Sequence, residues 1–347
     1  MDSNEVLFKK PSYPVNTMLM TYLHRFDRIS KVALLYDDLL RFSGAINVYD
    51  KLGNDTLWIR VYYNEYEQVE IDLTLKKMYS LLHSDGNDVI LKFLNIDAID
   101  YCTFGNSKPF RVKIRNILND NYTYFYVKKA DASRVYGLEL EHILSADKIN
   151  FLVYNDTLIE EHILGIPGDV FIDSLLHKCS DTEKAQIAKE FVKFNERCMI
   201  RLLGDMRSYN YVVIPIHDFD NVIYKIRAID FDQQCYEGNF KLYRPQFFKE
   251  NFPMVQLVKD KLQQSSVEQY KNEERSVLAK RIHSAGDRIT DLMEIMSKDT
   301  IAPEIHLRKL QLEIFNYSKD LNFKKAKSMG ELMMAAFDYI TRNFQKK

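Results

Sequence analysis

Glycine and proline are scarce in this sequence. The 347 residues include 11 Gly and 8 Pro, together about 5% of the chain, whereas these two residues average about 12% of protein sequence. A collagen-like or low-complexity chain needs far more of both, so those classes are excluded. The shortage of glycine also means that a nucleotide site here cannot depend on a Gly-rich loop that wraps the phosphates with backbone amides.

Cysteine is sparse as well, and none of the four cysteines is close enough to another for a C-x-x-C metal or redox motif. We expect reduced, mostly buried thiols, as in a cytosolic protein. The first residues, MDSNEVLFKKPSYP, lack the apolar core of a signal peptide. Apolar runs such as 212–216 have only the length of a strand, so no segment should span a bilayer. The sequence therefore predicts a cytoplasmic protein without a membrane segment.

Neither sign of charge is in excess, because 48 Lys and Arg face 49 Asp and Glu. A chain that coats nucleic acid or an anionic membrane usually carries a positive excess, so both partners are disfavoured. Aromatic residues are plentiful at 13% of the chain, and hydrophobic residues reach 46%. This composition can build a sizeable core, and the length allows two domains or one two-lobed fold.

The N-terminal part of the chain mixes helical and strand patterns. Apolar residues spaced by three and four over 17–42 predict one or two amphipathic helices. Residues 57–63 and 69–73 flank a polar stretch and predict a β-hairpin. A short helix is expected to follow over 74–83.

A second β-rich segment follows. Runs of β-branched and aromatic residues predict an antiparallel meander of three strands, 96–103, 110–114 and 122–129. A helix is expected over 133–145, since Asp131-Ala132-Ser133 can cap it.

The C-terminal half is mainly helical. Residues 181–202 form a strongly amphipathic pattern that begins with Asp181, and the chain is helical again from about 254. One β-hairpin interrupts the helices, with strands over 211–216 and 222–231 and a turn at His217–Asn221. The order of elements predicts an α+β protein with a small sheet-based lobe and a larger helical lobe.

Three polar residues should meet at the base of this hairpin. Asp205 follows the long helix, Asn210 precedes the first strand, and Asp230 comes at the end of the returning strand. Phosphoryl transfer from a Mg-nucleotide needs one carboxylate to orient or deprotonate the acceptor hydroxyl. It also needs an amide oxygen and a second carboxylate to hold the cations that bridge the phosphates. The competing interpretation is that Asp205 and Asn210 only cap backbone groups in a loop.

The motif Gly204-Asp205-x-x-x-x-Asn210, followed by Ile229-Asp230-Phe231-Asp232, resembles the catalytic and metal-binding motifs of the protein-kinase-like fold. It is most similar to the branch that contains aminoglycoside and choline phosphotransferases and HipA-type kinases. The resemblance covers roughly residues 95–345. It implies ATP and Mg as cofactors, Asp205 as the catalytic aspartate, Asn210 and Asp230 as metal ligands, and Asp232 as an auxiliary ligand.

The same resemblance implies a lysine at a strand end and a glutamate on the next helix. Lys128 would neutralise the α- and β-phosphates, and Glu139 would aim it. Lys129 and Glu141 are open alternatives at these two positions, because each stands within two residues of the favoured one.

An apolar hinge whose backbone pairs with adenine should come next. The run 158–163, with Gly165 after it, occupies this place in the sequence. The resemblance therefore implies that Glu161 and Ile163 contact the nucleotide.

The sequence departs from these families before the catalytic aspartate and after the metal-binding asparagine. Leu203 stands where they usually have His. The interval from Asn210 to Asp230 is longer than the usual kinase spacing, which an extended hairpin through His217–Asn221 would explain.

The position of the phosphate loop is also unusual. Segment Thr103–Pro109 contains only Gly105, where protein kinases have G-x-G-x-x-G. Lys108 and Arg111 could replace the missing backbone amides as point charges.

The predicted organisation is a kinase-like, two-lobed α+β fold with an extra N-terminal α/β segment. Its parts are an accessory domain over 1–90, a kinase-like N-lobe with the hinge over 91–168, and a helical C-lobe over 169–347. The predicted function is ATP- and Mg-dependent phosphotransfer to a hydroxyl of a small molecule or protein. The alternative is a catalytically inactive kinase-like scaffold or regulatory protein that binds a protein partner through its N-terminal segment.

Overall fold

The computed structural model describes residues 10–83, 86, 88–105, 107–218 and 221–344. It divides into two compact units, Met1–Ala132 with Ile149–His162, and Ser133–Lys148 with Ile163–Lys347. This division differs from the predicted boundary at residue 90, because strands on both sides of that position belong to one sheet. Residues 1–9, which belong to the N-terminal stretch predicted to lack a signal-peptide core, lie outside the described residues.

The first unit is built on a seven-stranded sheet. Its strands are β1 (Gly44–Tyr49), β2 (Asp55–Tyr62), β3 (Leu94–Cys102), β4 (Phe110–Asn116), β5 (Tyr122–Lys129), β6 (Phe151–Tyr154) and β7 (Thr157–Glu161). The spatial order is β1-β2-β3-β4-β5-β7-β6, and every neighbouring pair is antiparallel. The predicted meander is confirmed as β3, β4 and β5, and the sheet extends beyond it on both sides.

The predicted hairpin over 57–63 and 69–73 is wrong in its second strand. Residues 69–73 belong to helix α3 (Glu65–His83), and β2 pairs instead with β1, which precedes it. Further along α3, Leu75, Met78 and Leu82 are buried and recur at helical spacing. The alternation within 69–73 was therefore a short part of a longer helical pattern.

The core of the first unit lies between this helix and the sheet. Leu75 and Met78 of α3 pack in one buried cluster with Phe110 and Val112 of β4 and Phe125 of β5. Two further helices, α1 (Thr17–Arg25) and α2 (Tyr36–Leu39), occupy the segment 17–42 that was predicted to hold one or two. The alternating apolar side chains of β4 and β5 thus place one face of each strand against the core.

The second unit is mainly helical, with a three-stranded sheet of order β10-β9-β8. Its elements are α4 (Ala132–Leu144), β8 (Ile166–Pro167), α5 (Gly168–Ser174), α6 (Asp181–Ile200), β9 (Tyr211–Asp218), β10 (Asn221–Ala228), α7 (Phe252–Lys261), α8 (Gln264–Ala285), α9 (Asp287–Ser297), α10 (Glu304–Ser318), α11 (Asn322–Lys325) and α12 (Met329–Phe344). The predicted helices at 133–145 and 181–202 and the helical C-terminal part are confirmed. The hairpin is present too, but its returning strand ends at Ala228 and not at residue 231, so Asp230 lies beyond the strand. Residues 219 and 220, which belong to the predicted turn, lie outside the described residues.

Helix α6 supports the loop that carries Asp205. Its N-terminus is closed by a capping box, in which the Ser180 side chain accepts from the Glu183 backbone N–H while the Glu183 side chain accepts from that of Ser180. Phe191, Phe194 and Cys198 are buried along it. Within the described part of the chain, no helix is both long and apolar enough to cross a membrane.

Gly330 allows α12 to approach α9 closely. A Cβ atom at this position would lie 2.3 Å from the backbone carbon of Met296. An Ala for Gly exchange in a helix normally adds about 1 kcal/mol of stability, but here it would create a clash between two backbones. We expect Gly330→Ala to lower the free energy of unfolding by about 1–3 kcal/mol in urea denaturation. Ser265→Ala, at an exposed position of α8, is the control and should change the free energy of unfolding by less than about 0.5 kcal/mol. A Gly330→Ala variant that is more stable than the wild-type protein would contradict the close approach of the two helices.

Candidate active site

The loop after α6 holds Asp205 in an unusual backbone conformation. Leu202 and Asp205 have φ angles of 48° and 56°, a left-handed region that non-glycine residues seldom adopt. The loop is held by hydrogen bonds, since the Asp205 N–H donates to the Leu242 carbonyl at 3.0 Å and the Arg207 N–H donates to the Asp205 carbonyl at 2.8 Å. Strained backbone that the surrounding contacts hold in place is common at functional sites.

Asn210 lies against Asp205. Its Nδ2 donates to the Asp205 carbonyl at 2.7 Å and lies 3.4 Å from Asp205 Oδ2. Its backbone carbonyl accepts from the Ile229 N–H at 3.0 Å, which joins this loop to the segment after β10. The structure therefore brings Asp205 and Asn210 together and places Asp230 one residue beyond their backbone link.

Arg134 on α4 lies against the segment that follows β10. It pairs closely with Asp232, and its Nη2 lies 3.9 Å from Asp230 Oδ1. The Asp232 N–H also donates to Asp230 Oδ1 at 3.1 Å. Gly137 lets this segment approach α4, because a Cβ there would lie 3.0 Å from the Cβ of Phe231. The Asp232 side chain thus forms an ion pair with Arg134, whereas the Asp230 side chain remains 37% exposed.

Arg207 was not identified from the sequence, yet it contacts the proposed catalytic carboxylate. Its Nε donates to Asp205 Oδ1 at 2.8 Å, and its Nη1 donates to Glu250 Oε1 at 2.9 Å. A basic residue two positions after Asp205 was a usable signal, whereas nothing in the sequence pointed to the distant Glu250.

The pKa of Asp205 is raised above its ordinary value. Burial is the main cause, Arg207 acts in the opposite direction, and the negative charges of Asp230 and Glu250 raise it further. Asp205 therefore binds a proton more readily than an ordinary aspartate, as suits a group that accepts one during a reaction.

The predicted lysine lies in the first unit. Lys128, near the end of β5, is buried, and its Nζ donates to Glu160 Oε2 on the neighbouring strand β7 at 2.6 Å. Lys129 points elsewhere and pairs with Asp37 at the surface, with an Nζ–Oδ1 distance of 3.2 Å. Glu160 was not among the residues predicted for the site.

The two predicted glutamates lie in the second unit, on α4. Glu139 is fully buried and accepts from Arg288 Nε at 2.8 Å. Glu141 is buried against Arg201, at the end of α6. Burial raises the pKa of Glu141, but the Arg201 guanidinium outweighs this effect and holds that pKa below its usual value.

The predicted hinge spans the boundary between the two units. Glu161 ends β7 in the first unit, and its N–H donates to the Asn150 carbonyl at 3.1 Å. Ile163 is buried and belongs to the second unit.

The two cations considered for phosphate binding behave differently. Arg111 Nη2 donates to the buried Asp100 at 2.9 Å, and its guanidinium lies over the Trp58 ring. Lys108 is exposed, in the segment Thr103–Pro109 that stands in place of a Gly-rich loop. Gly105 of this segment has a φ angle of 84°, and residue 106 lies outside the described residues. Only Lys108 therefore has the exposure expected of a group that meets phosphate from solvent.

The donor set fits a magnesium ion. Among the described residues, no donor reaches Asn210 Oδ1, so this oxygen and the exposed Asp230 carboxylate are available as hard ligands. No three His, Cys, Asp or Glu side chains cluster as a metal site in the described part of the chain. Magnesium in phosphotransferases commonly takes one or two carboxylates and completes its shell with water and substrate phosphates, so two protein ligands are enough.

Comparison with known proteins gives little support at the level of sequence. No protein-family model and no curated protein sequence matches the chain. Solved structures do match, among them one described as a crystal structure of Rad53 1-466 in complex with AMP-PNP. That match covers 85% of this chain and 74% of the other, at 11% sequence identity and a TM-score of 0.29. A TM-score of this size does not establish a common fold.

Proposed function

We propose that this protein is an ATP- and magnesium-dependent phosphotransferase of the kinase-like type, acting on a hydroxyl group of a small molecule or protein. The observation that carries the proposal is the meeting of Asp205 and Asn210 in one hydrogen-bonded loop, joined through the Ile229 backbone to Asp230. Residues of these three types at one hairpin base match the needs of phosphoryl transfer.

Each of these residues has a role in the proposed reaction. Asp205 orients the acceptor hydroxyl and takes its proton, and Arg207 holds the carboxylate in position. Asn210 and Asp230 hold magnesium, which supplies charge neutralisation on the phosphates when it is bound. Lys128 meets the phosphates, and the backbone around Glu161 and Ile163 contacts the adenine.

Conversion of MgATP to ADP by the purified chain, with water as the acceptor, tests this proposal. The wild-type protein should turn over MgATP, and Asp205→Asn should lower the rate by about 10²–10⁴-fold, the usual contribution of a positioned base. The variant should keep its affinity for MgATP, since Asp205 is not a proposed metal ligand. Turnover that survives Asp205→Asn unchanged would remove Asp205 from this role.

A second candidate function is that of an inactive kinase-like scaffold that binds a protein partner. Two observations favour it. Arg207 already forms an ion pair with the Asp205 carboxylate. Strand β1 is an edge strand, and its Ile46 and Tyr49 side chains are exposed. Exposed edge strands are common docking sites for a strand of another chain. Nucleotide binding without turnover would favour this candidate over the enzyme.

A further inference from the structure

The helical unit contains a cavity of about 470 Å³ beside the catalytic loop. It lies between the end of α6 and the helices α8, α10, α11 and α12. Leu202, in the loop three residues before Asp205, forms part of its wall. A volume of this size lies within the range of about 300–1,000 Å³ that is typical of small-molecule sites.

Part of the cavity wall is apolar. Leu202, Ile314, Phe323 and Ile340 are buried side chains that line the cavity. Apolar side chains in the wall favour a ligand with an apolar body, because transfer from water stabilises that body in proportion to the apolar area covered.

The polar part of the wall is positively charged, but two of its three cations already have partners. Arg275 Nε pairs with Glu196 at 2.9 Å. Lys271 pairs with Glu268 at 2.8 Å, and Glu268 is the one acidic residue in the cavity wall. These pairs neutralise the charges on this side.

Arg244 is the exception. Among the described residues, no carboxylate lies within 4.0 Å of its guanidinium and no hydrogen-bond acceptor is in reach. The group is held by aromatic rings instead, 4.6 Å from the centroid of Phe247, 5.5 Å from that of Tyr317 and 6.0 Å from that of Phe240. Stacking uses the faces of a guanidinium and leaves its N–H edges for an anion.

We propose that this cavity binds a monocarboxylic acid with an apolar chain. The carboxylate pairs with Arg244, and the chain lies along the apolar wall formed by α10 and α12. One cation that lacks a partner among the described residues matches one negative charge, and a planar carboxylate can accept two parallel N–H bonds from a guanidinium. This binding site is independent of the nucleotide and can be tested without it.

Calorimetric titration with decanoate, and with decanol as a matched uncharged ligand, tests the proposal in the full chain. Wild-type protein should bind decanoate about ten- to a hundredfold more tightly than decanol, which is the usual contribution of a hydrogen bond to a charged group to the affinity. Arg244→Gln should remove this preference and leave decanol binding unchanged. The exposed Arg308→Gln is the control, since Arg308 lies outside the cavity lining.

A second variant tests the place of binding. Ala336→Leu places a larger side chain of α12 in the cavity and should lower the affinity for both ligands. Circular dichroism checks that the variant is folded. Absence of decanoate binding would overturn the proposal, as would equal binding of the two ligands. Binding of inorganic phosphate as tight as that of decanoate would also overturn it, since the cavity would then be a plain anion site.

Discussion

Replacing Asp230 with Asn is expected to abolish the rise in melting temperature that MgATP gives the wild-type protein. A ligand at about 100 times its dissociation constant stabilises a protein by about 2.7 kcal/mol, and each kcal/mol raises the melting temperature of a domain of 150–250 residues by about 2–4 °C. Loss of one of the two protein ligands of magnesium, and of a full negative charge, should therefore remove this rise.

The variant should still fold, because the Asp230 side chain is 37% exposed and its nearest cation is 3.9 Å away. Asp173→Asn, on the exposed side of α5, is the matched control and should keep the full shift. Retention of the MgATP shift by Asp230→Asn would contradict the proposed ligand set. Absence of a shift with any nucleotide in the wild-type protein would reject the phosphotransferase altogether.

Removing the positive charge of Arg201 should have the largest effect on stability. Arg201 and Glu141 are paired with side-chain exposures of only 4% and 5%. Arg201→Met would leave the Glu141 carboxylate buried without its partner, which typically costs about 3–5 kcal/mol. Urea denaturation should show a loss of this size, and the pKa of Glu141 should rise because the largest opposition to the effect of burial is then removed.

The double variant Arg201→Met, Glu141→Leu separates charge from packing. If the loss is due to an unpaired carboxylate, the double variant should recover most of it, since apolar pairs often replace buried ion pairs without cost. The exposed pair Arg308–Glu304 is the control, and Arg308→Met should cost less than about 1 kcal/mol. A double variant as unstable as the single one would show that packing, and not charge, explains the effect.

The Arg201 pair also bears on the choice between Glu139 and Glu141. These residues are two positions apart on α4, so their side chains leave the helix in different directions. In the proposed enzyme, Glu141 is then a stabilising residue of the helical unit, which leaves Glu139 as the candidate glutamate of the site. The Glu139 carboxylate already accepts a hydrogen bond from Arg288 Nε, at 2.8 Å.

Sequence periodicity was a reliable guide where one pattern persisted along the chain. Helix α6 and strands β4 and β5 were predicted within a few residues of their observed bounds, because their apolar spacing is unbroken. The segment 69–73 was wrong, because five alternating residues fit both a strand and one side of a helix. Its assignment depended on Leu75 and Met78, which lie beyond that window and pack on the sheet.

The sequence by itself determined the α+β order of elements, and it predicted that Asp205, Asn210 and Asp230 would meet at one hairpin. Sequence distance is short within a hairpin, so chain connectivity alone brings such residues near one another. Only the tertiary structure decided which charged side chains neutralise one another. The pairs Arg207–Glu250 and Glu141–Arg201 depend on which distant segments pack together, and so does the absence of a carboxylate beside Arg244 among the described residues. A charge is neutralised by whatever packing brings within a few ångströms, and spacing along the chain does not encode that neighbour.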